Sequence, residues 1–124
     1  MFGAGTGEVI GTVAVSGPSD VDAAVAAAMA ARPAWAAMTA KARAAIMMKW
    51  HDLIDENIEE LSELVILENG KNKTEAVGDV AKGNETVEWA CSLPQLLPGK
   101  VLEVSAGVVC QDMRDPLGVV ACIV

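Results

Sequence analysis

The sequence predicts an α/β fold in which a helical part, residues 16–93, precedes a strand part, residues 99–124. Apolar residues recur at helical spacing in four segments, and two β-branched segments follow Pro94. The last eight residues, 117–124, form an almost continuous apolar run. Such a run is typical of a strand buried on both faces of a parallel sheet. Because parallel strands need neighbours reached through long crossovers, we expect these residues to be one continuous segment, 1–124, of a larger α/β architecture.

The start of the chain is predicted to be a turn followed by a short edge strand or hairpin, over residues 4–15. Gly5 and Gly7 favour a turn, and Val9 and Ile10 begin a β-branched segment that favours a strand. The glycines do not follow a strand and do not open a helix, as a dinucleotide-binding loop requires. A plain flexible turn is therefore favoured over a phosphate-binding loop.

Four helices are predicted, over residues 19–31, 39–56, 58–69 and 74–92. Pro33 is expected to end the first helix and Pro94 the last. Asn57 is expected to cap the third helix in a capping box with Glu60, and Gly70 is a stop signal. Beyond the helices, strands are predicted over residues 100–104 and 108–113 and in the terminal run.

Composition and charge exclude several classes of function. The chain is 52% hydrophobic and 21% charged, which is typical of globular proteins, although its Ala- and Val-rich apolar residues predict a thin core. A net charge of −8 argues against nucleic-acid binding. The longest apolar stretch, residues 23–38, is interrupted by Arg32 and Pro33, which argues against a membrane span. No targeting signal is visible, and three widely spaced cysteines fit reduced thiols in an intracellular compartment.

Candidate chemical groups are few. Six acidic residues are read as a solvated face and not as a metal site, because no histidine or second carboxylate cluster accompanies them: Asp52, Asp55, Glu56, Glu59, Glu60 and Glu63. A structural role is favoured over a catalytic base for His51, since no nucleophile lies nearby in the sequence. Inert thiols are favoured over a nucleophile for Cys91, Cys110 and Cys122. We therefore expect no metal and no acid–base pair.

Lys82 has two interpretations. The local sequence favours an exposed lysine whose stem follows the helix surface. The alternative is a cation directed into a cleft between this helix and other parts of a larger protein. Gly78 and Gly83 flank Lys82 within the same predicted helix, and because glycine weakens a helix interior, they predict close packing there.

Several segments, in order and at matching spacing, resemble the N-terminal part of the aldehyde dehydrogenase superfamily. These are residues 6–10 (TGEVI), 21–25 (VDAAV) with Trp35, and 67–72 (LENGKN) with Glu75 and Ala76. Three further segments look more specifically like methylmalonate-semialdehyde dehydrogenase: residues 78–83 (GDVAKG), 87–92 (VEWACS) and 114–121 (RDPLGVVA). The resemblance covers nearly the whole chain.

The resemblance implies oxidation of methylmalonate or malonate semialdehyde with NAD, and transfer of the acyl group to coenzyme A through a cysteine thioester with loss of carbon dioxide. Lys82 stands where the family usually has an arginine that helps to hold the substrate carboxylate. Lysine keeps the positive charge but lacks the paired N–H donors with which arginine binds both oxygens of a carboxylate. Weaker or altered binding of the substrate carboxylate is therefore expected. Val124 looks like the first position whose backbone contacts NAD.

The family's oxyanion-hole loop, ribose-binding residues, catalytic glutamate and nucleophilic cysteine correspond to segments after residue 124, and the three cysteines of this chain do not match the nucleophile's motif. The isolated chain is therefore expected to be inactive and to bind no cofactor. The predicted strand pair is of the kind that the family uses in oligomer contacts, so a homo-oligomer or partner subunits are expected. The resemblance implies the mitochondrial matrix in a eukaryote and the cytoplasm in a bacterium. The alternative is a truncated non-catalytic paralogue that serves as a structural or interaction subunit of a larger complex.

Overall fold

The computed structural model describes residues 1–123 and is mostly helical, with one two-stranded hairpin. Its elements are α1 (Pro18–Ala37), α2 (Ala40–Glu56), α3 (Ile58–Asn69), α4 (Lys73–Cys91), α5 (Leu93–Leu96), β1 (Lys100–Ser105) and β2 (Val108–Asp112). The four longer helices and the hairpin are present as the sequence predicts, and only the first helix differs by more than two residues at an end. In the part of the chain that the structure describes, no helix is both long and apolar enough to cross a membrane.

The first helix continues through Pro33 to Ala37, so the prediction that Pro33 ends it is wrong. A proline removes one helical hydrogen bond and crowds the preceding turn. Here the residues on both sides are mostly alanine, the strongest helix former, and they sustain the helix across that point. The Arg43 guanidinium then donates to the carbonyl oxygens of Met38 (2.6 Å) and Trp35 (3.4 Å), which satisfies acceptors at the end of α1.

The centre of the fold is the packing of α4 against α2 and α3. Thr39 caps α2 by accepting from the Ala42 N–H, and Asn72 caps α4 by accepting from the Glu75 N–H. The only buried apolar residues among those described are Ala76 and Val87, both on α4. The thin core predicted from the Ala- and Val-rich composition is confirmed.

The junction between α2 and α3 differs from the prediction. Asn57 lies at the N-cap position of α3, but its side chain makes no cap hydrogen bond. Its Nδ2 instead donates to the Leu53 carbonyl oxygen at 2.7 Å and closes the end of α2. The capping box with Glu60 is therefore wrong, because the asparagine amide is engaged by the preceding helix.

Gly70 ends α3 in the left-handed conformation, with φ = 79°, as its position after Asn69 predicts. A Cβ at Gly70 would be strained by this φ and would lie 3.1 Å from the Ala4 Cβ. At Gly78, in the interior of α4, an added Cβ meets nothing within 4 Å. A side chain is therefore expected to lower the stability of the fold at Gly70 but not at Gly78.

We expect Gly70→Ala to lower the free energy of unfolding by about 1 kcal/mol, because alanine is strained in the left-handed region. Gly78→Ala is the matched control and should raise it by roughly 0.5–1 kcal/mol, since alanine favours a helix interior. Urea unfolding followed by circular dichroism measures both changes. Shifts of the same sign in the two variants would contradict this assignment of the Gly70 backbone.

The two central predicted strands form an antiparallel hairpin. Lys100 pairs with Asp112 and Leu102 with Cys110, and the register shifts between Glu103 and Ser105. Both strands are exposed along their whole length. The fourth helix ends at Cys91, before Pro94, as predicted, and Pro94 itself lies in the first turn of the short α5, a position where a helix tolerates proline.

The predicted terminal strand is not formed in the described part of the chain, where residues 117–123 lie outside any strand. Leu117 is 97% exposed and Ile123 is 99% exposed. A strand exists only through hydrogen bonds to a neighbouring strand, and the described residues place none beside this segment. The predicted strand within residues 4–15 is likewise reduced to one isolated antiparallel bridge, between Phe2 and Val9.

Candidate functional site

Lys82 lies on the exposed side of α4, and 79% of its side chain is accessible. Its Nζ donates to the Glu85 carboxylate, three residues further along the helix. The hydrogen bond that Lys82 donates to Glu85, with the attraction of the same carboxylate, raises the pKa of Lys82 above its usual value of 10.5. Lys82 is therefore a constant positive charge at neutral pH. In the described residues it has the geometry of a surface lysine, and its proposed role toward a substrate carboxylate stays a prediction.

The surface around Lys82 is open. An added Cβ at Gly78 or at Gly83 meets no atom within 4 Å. Close packing at these two glycines is therefore not present among the described residues, contrary to the sequence prediction. The described residues therefore leave the α4 backbone at Gly78 and Gly83 uncovered.

Asn84 joins α4 to α2 and was missed by the sequence analysis. Its side chain is buried, and its Nδ2 donates to the His51 carbonyl oxygen (3.2 Å) and to Asp55 Oδ1 (2.8 Å). The signal was present in the sequence, since Val80, Asn84 and Val87 follow the i, i+4, i+7 spacing of a buried helix face. A polar residue at such a position predicts a specific partner on the facing helix.

His51 belongs to this contact between α2 and α4 through its backbone. Its Nδ1 lies 3.2 Å from Asp52 Oδ1 and its Nε2 lies 4.0 Å from Asp55 Oδ2. No hydrogen bond of the described residues joins His51 to a cysteine thiol. The three cysteines lie apart along the fold: Cys91 is half-buried at the end of α4, while Cys110 and Cys122 are exposed. The arrangement shows no nucleophile beside a base.

The acidic residues of α2 and α3 do not form a metal centre in the described part of the chain, where no group of three or more metal-ligating side chains occurs. Asp55 accepts a hydrogen bond from Asn84, and Glu59 forms an ion pair with Lys73 at the start of α4. The distance between Glu59 Oε2 and Lys73 Nζ is 2.6 Å. These contacts agree with the interpretation of a mostly solvated face.

Val124, the predicted NAD contact, lies outside the described residues. The segment before it borders a cavity of about 460 Å³ that is lined by Val25, Met29, Arg32 and residues 117–121. Two phosphates of a dinucleotide need several N–H or cationic donors, and Arg32 is the only charged side chain in this lining. The described lining therefore does not fit NAD by itself.

A larger depression, which we call the three-helix groove, lies where α2, α3 and α4 meet. Its volume is about 570 Å³. Its lining is mainly apolar and consists of Trp50, Ile54, Leu61, Leu64, Val65, Glu68, Val80, Gly83, Asn84 and Val87. Trp50 and Leu64 remain about half exposed. Residues of α4 contribute both to this groove and to the surface around Lys82.

The chain is similar to known dehydrogenases over nearly its whole length. It is 45% identical over 119 residues to malonate-semialdehyde dehydrogenase 1 of Geobacillus kaustophilus, covering 95% of this chain and 24% of that protein. It is 40% identical over 124 residues to malonate-semialdehyde dehydrogenase 2 of Bacillus anthracis, covering 99% of this chain and 26% of that protein. The chain thus spans about a quarter of the length of these relatives.

Solved structures show the same relationship in three dimensions. The fold matches a methylmalonate-semialdehyde dehydrogenase from Sinorhizobium meliloti, solved in complex with NAD, with a TM-score of 0.91 and 38% identity over 94% of this chain and 24% of that one. It matches a succinate-semialdehyde dehydrogenase from Burkholderia pseudomallei with a TM-score of 0.80 and 36% identity, over 83% of this chain and 21% of that one. The family model for aldehyde dehydrogenases matches residues 2–124. The chain therefore belongs to the aldehyde dehydrogenase family and corresponds to its N-terminal part.

Proposed function

We propose that these residues form the N-terminal segment of an NAD-dependent, coenzyme A-acylating dehydrogenase that acts on methylmalonate or malonate semialdehyde. The observation that carries the proposal is the combination of a TM-score of 0.91 with 38% identity to the Sinorhizobium meliloti methylmalonate-semialdehyde dehydrogenase. Malonate-semialdehyde dehydrogenases at 40–45% identity support the same substrate class. In this proposal residues 117–124 become the first parallel strand of the cofactor domain once neighbouring strands are present.

The chain's own contribution would be binding and positioning. NAD would supply the hydride acceptor and coenzyme A the acyl acceptor. Lys82 provides a permanent positive charge on an open face of α4, which suits an anionic substrate group approaching from the rest of the enzyme. The link between Asn84 and Asp55 holds α4 against α2, and so it would fix the position of that charge.

A chimera tests this proposal. Residues 1–124 would replace the matching quarter of the Geobacillus kaustophilus enzyme, and the same graft would be made into the Burkholderia pseudomallei succinate-semialdehyde dehydrogenase. We expect the first chimera to form NADH and acyl-coenzyme A from malonate semialdehyde within about tenfold of its parent, because a well-matched segment keeps the catalytic geometry. A folded first chimera without this activity, beside an active second chimera, would refute the substrate assignment.

Partner subunits or a homo-oligomer are part of the same proposal. The β1–β2 hairpin has no third strand beside it among the described residues, and its exposed side chains include Val101, Leu102, Val104 and Val109. Such edges add strands from other chains readily.

These exposed edges also support a second candidate, a non-catalytic paralogue that acts as an interaction subunit. Intact mass of the native protein with a pull-down separates the two: a chain of 124 residues bound to partners favours the subunit, and a much heavier chain favours the enzyme.

A further inference from the structure

The α3 helix ends at the dipeptide Asn69–Gly70, which places a reactive amide beside an unhindered backbone nitrogen. Asn69 is the last residue of α3 and is exposed, and its side-chain amide makes no hydrogen bond within the described part of the chain. Gly70 follows in the left-handed conformation and carries no Cβ that would shield its nitrogen. An asparagine amide carbon can be attacked by the nitrogen of the next residue, because closure forms a five-membered ring.

The other three asparagines of the chain lack this combination. Asn57 precedes an isoleucine, and its Nδ2 donates to the Leu53 carbonyl oxygen. Asn72 precedes a lysine, and its Oδ1 accepts from the Glu75 N–H. Asn84 is 3% exposed and precedes a glutamate. A side chain on the following residue hinders ring closure, and a hydrogen bond or burial holds the amide in place, so these three residues serve as internal controls.

The fold also restrains the reaction at Asn69. The Gly70 N–H donates to the Ile66 carbonyl oxygen at 2.9 Å, and this hydrogen bond closes the last turn of α3. While the bond holds, the nitrogen that would attack is engaged. Helix ends open at a much lower free-energy cost than the whole fold. The reaction is therefore expected to follow opening of this single turn and not global unfolding.

We propose that Asn69 is a deamidation site, which reacts when the last turn of α3 opens and releases the Gly70 nitrogen. Hydroxide removes the Gly70 amide proton, and the nitrogen attacks Asn69 Cγ. The new N–Cγ bond forms, the Cγ–Nδ2 bond breaks, and ammonia leaves with a proton taken from water, which regenerates hydroxide. Water then opens the cyclic imide at either carbonyl and gives aspartate or isoaspartate. The net change is the uptake of water and the loss of ammonia, with no oxidation or reduction.

Either product changes the end of α3. Aspartate adds a negative charge at a helix C-terminus, where the helix dipole disfavours it. Isoaspartate carries the main chain through the former side chain and lengthens it by one carbon, which displaces the Gly70 cap. A Cβ built on Gly70 lies 3.1 Å from the Ala4 Cβ, so the first residues of the chain pack directly on this turn. Deamidation therefore loosens the contact between the N-terminal turn and α3, whatever reaction the larger protein catalyses.

Peptide mapping by mass spectrometry of the 124-residue chain, aged at mildly alkaline pH, tests the proposal. A synthetic peptide of residues 64–75 gives the rate without the fold, and circular dichroism shows that the chain is helical. We expect Asn69 to convert faster than the other asparagines and to yield both aspartate and isoaspartate. Its rate should be roughly 10- to 100-fold lower in the folded chain than in the peptide, because a hydrogen bond and the last helical turn must open first.

Three results would overturn the proposal. Conversion of Asn57 or Asn72 as fast as that of Asn69 would refute the site. Aspartate without isoaspartate would refute attack by the Gly70 nitrogen. A folded rate equal to that of the peptide, or more than about a thousandfold below it, would refute control by local opening, since so large a protection requires unfolding of the whole chain. The chimera with the Geobacillus kaustophilus enzyme is measured in parallel, and the same three results apply to it if the isolated chain is not helical.

A matched pair of variants measures the consequence for stability. Asn69→Asp reproduces the aspartate product and should lower the Tm by roughly 2–4 °C, because it adds a negative charge at the C-terminus of α3. Asn69→Gln keeps an uncharged amide that does not close a five-membered ring, so it should leave the Tm nearly unchanged and abolish conversion at this position. Equal Tm values for the two variants would refute the effect of deamidation on the end of α3.

Discussion

The 124-residue polypeptide by itself is expected to produce no NADH from malonate semialdehyde, even with NAD and coenzyme A in excess. None of the described residues combines a nucleophile with a base, and the resemblance assigns the nucleophile and the oxyanion donors to segments after residue 124. Removing a nucleophile and its supporting groups as a unit costs on the order of a millionfold in kcat. Absorbance of NADH at 340 nm, followed for hours at high protein concentration, measures the result.

The chimera from the Geobacillus kaustophilus enzyme is the positive control for this experiment, since it carries the same 124 residues within a complete catalytic domain. Circular dichroism of the isolated chain supplies the second control, because the helical content of α1 to α4 shows whether the absence of turnover belongs to a folded molecule. Turnover by the purified 124-residue chain would contradict both the family assignment of roles and the proposal that this segment only positions groups.

The second large effect is expected at Lys82 in the active chimera. Lys82→Arg should raise kcat/KM for malonate semialdehyde by about tenfold, because a guanidinium forms two parallel hydrogen bonds with a carboxylate where an ammonium acts as a point charge. Lys82→Met should lower it by roughly 10- to 100-fold, because a hydrogen bond to a charged group is lost. Steady-state kinetics with malonate semialdehyde and with an uncharged aldehyde of similar length measures both variants.

The uncharged aldehyde distinguishes carboxylate binding from a general effect, because neither variant should change its kcat/KM by more than about twofold if Lys82 acts through the carboxylate. Lys49→Arg is the matched control substitution, since Lys49 is an exposed lysine on α2. If all three variants keep the parent's kinetics, then Lys82 is a surface residue paired with Glu85 and the role implied by the resemblance is wrong. Loss of activity toward both aldehydes in Lys82→Met would indicate a structural role.

Most of the helical part could be predicted from the sequence because its signals are local. The helical spacing of apolar residues and the Gly70 stop predict α2 to α4 within a residue or two of the bounds observed. The hairpin could equally be predicted from the sequence, since its two strands are neighbours in sequence and pair with each other. The family could also be identified from the sequence, since the segments that carry the resemblance keep their order and spacing over nearly the whole chain.

At Pro33 and Asn57 the surrounding residues outweigh the local rule that the residue type suggests. Pro33 is a helix breaker on average, but the alanine residues around it are strong enough helix formers to carry α1 through it. Asn57 has the right position for a cap, but its amide bonds back to Leu53. In both cases two local preferences compete, and the position of a residue type does not show which preference is the stronger.

By itself the sequence determined the family, the helices and the hairpin, because residue order and short-range hydrogen bonding set these features. Only the tertiary structure decided which side chains meet. It showed that Asn84 ties α4 to α2 and keeps one acceptor without a donor, and that Lys82 pairs with Glu85 on an open face. It also showed residues 117–123 outside any sheet, because a strand is stable only beside a neighbour and apolar residues alone do not supply one.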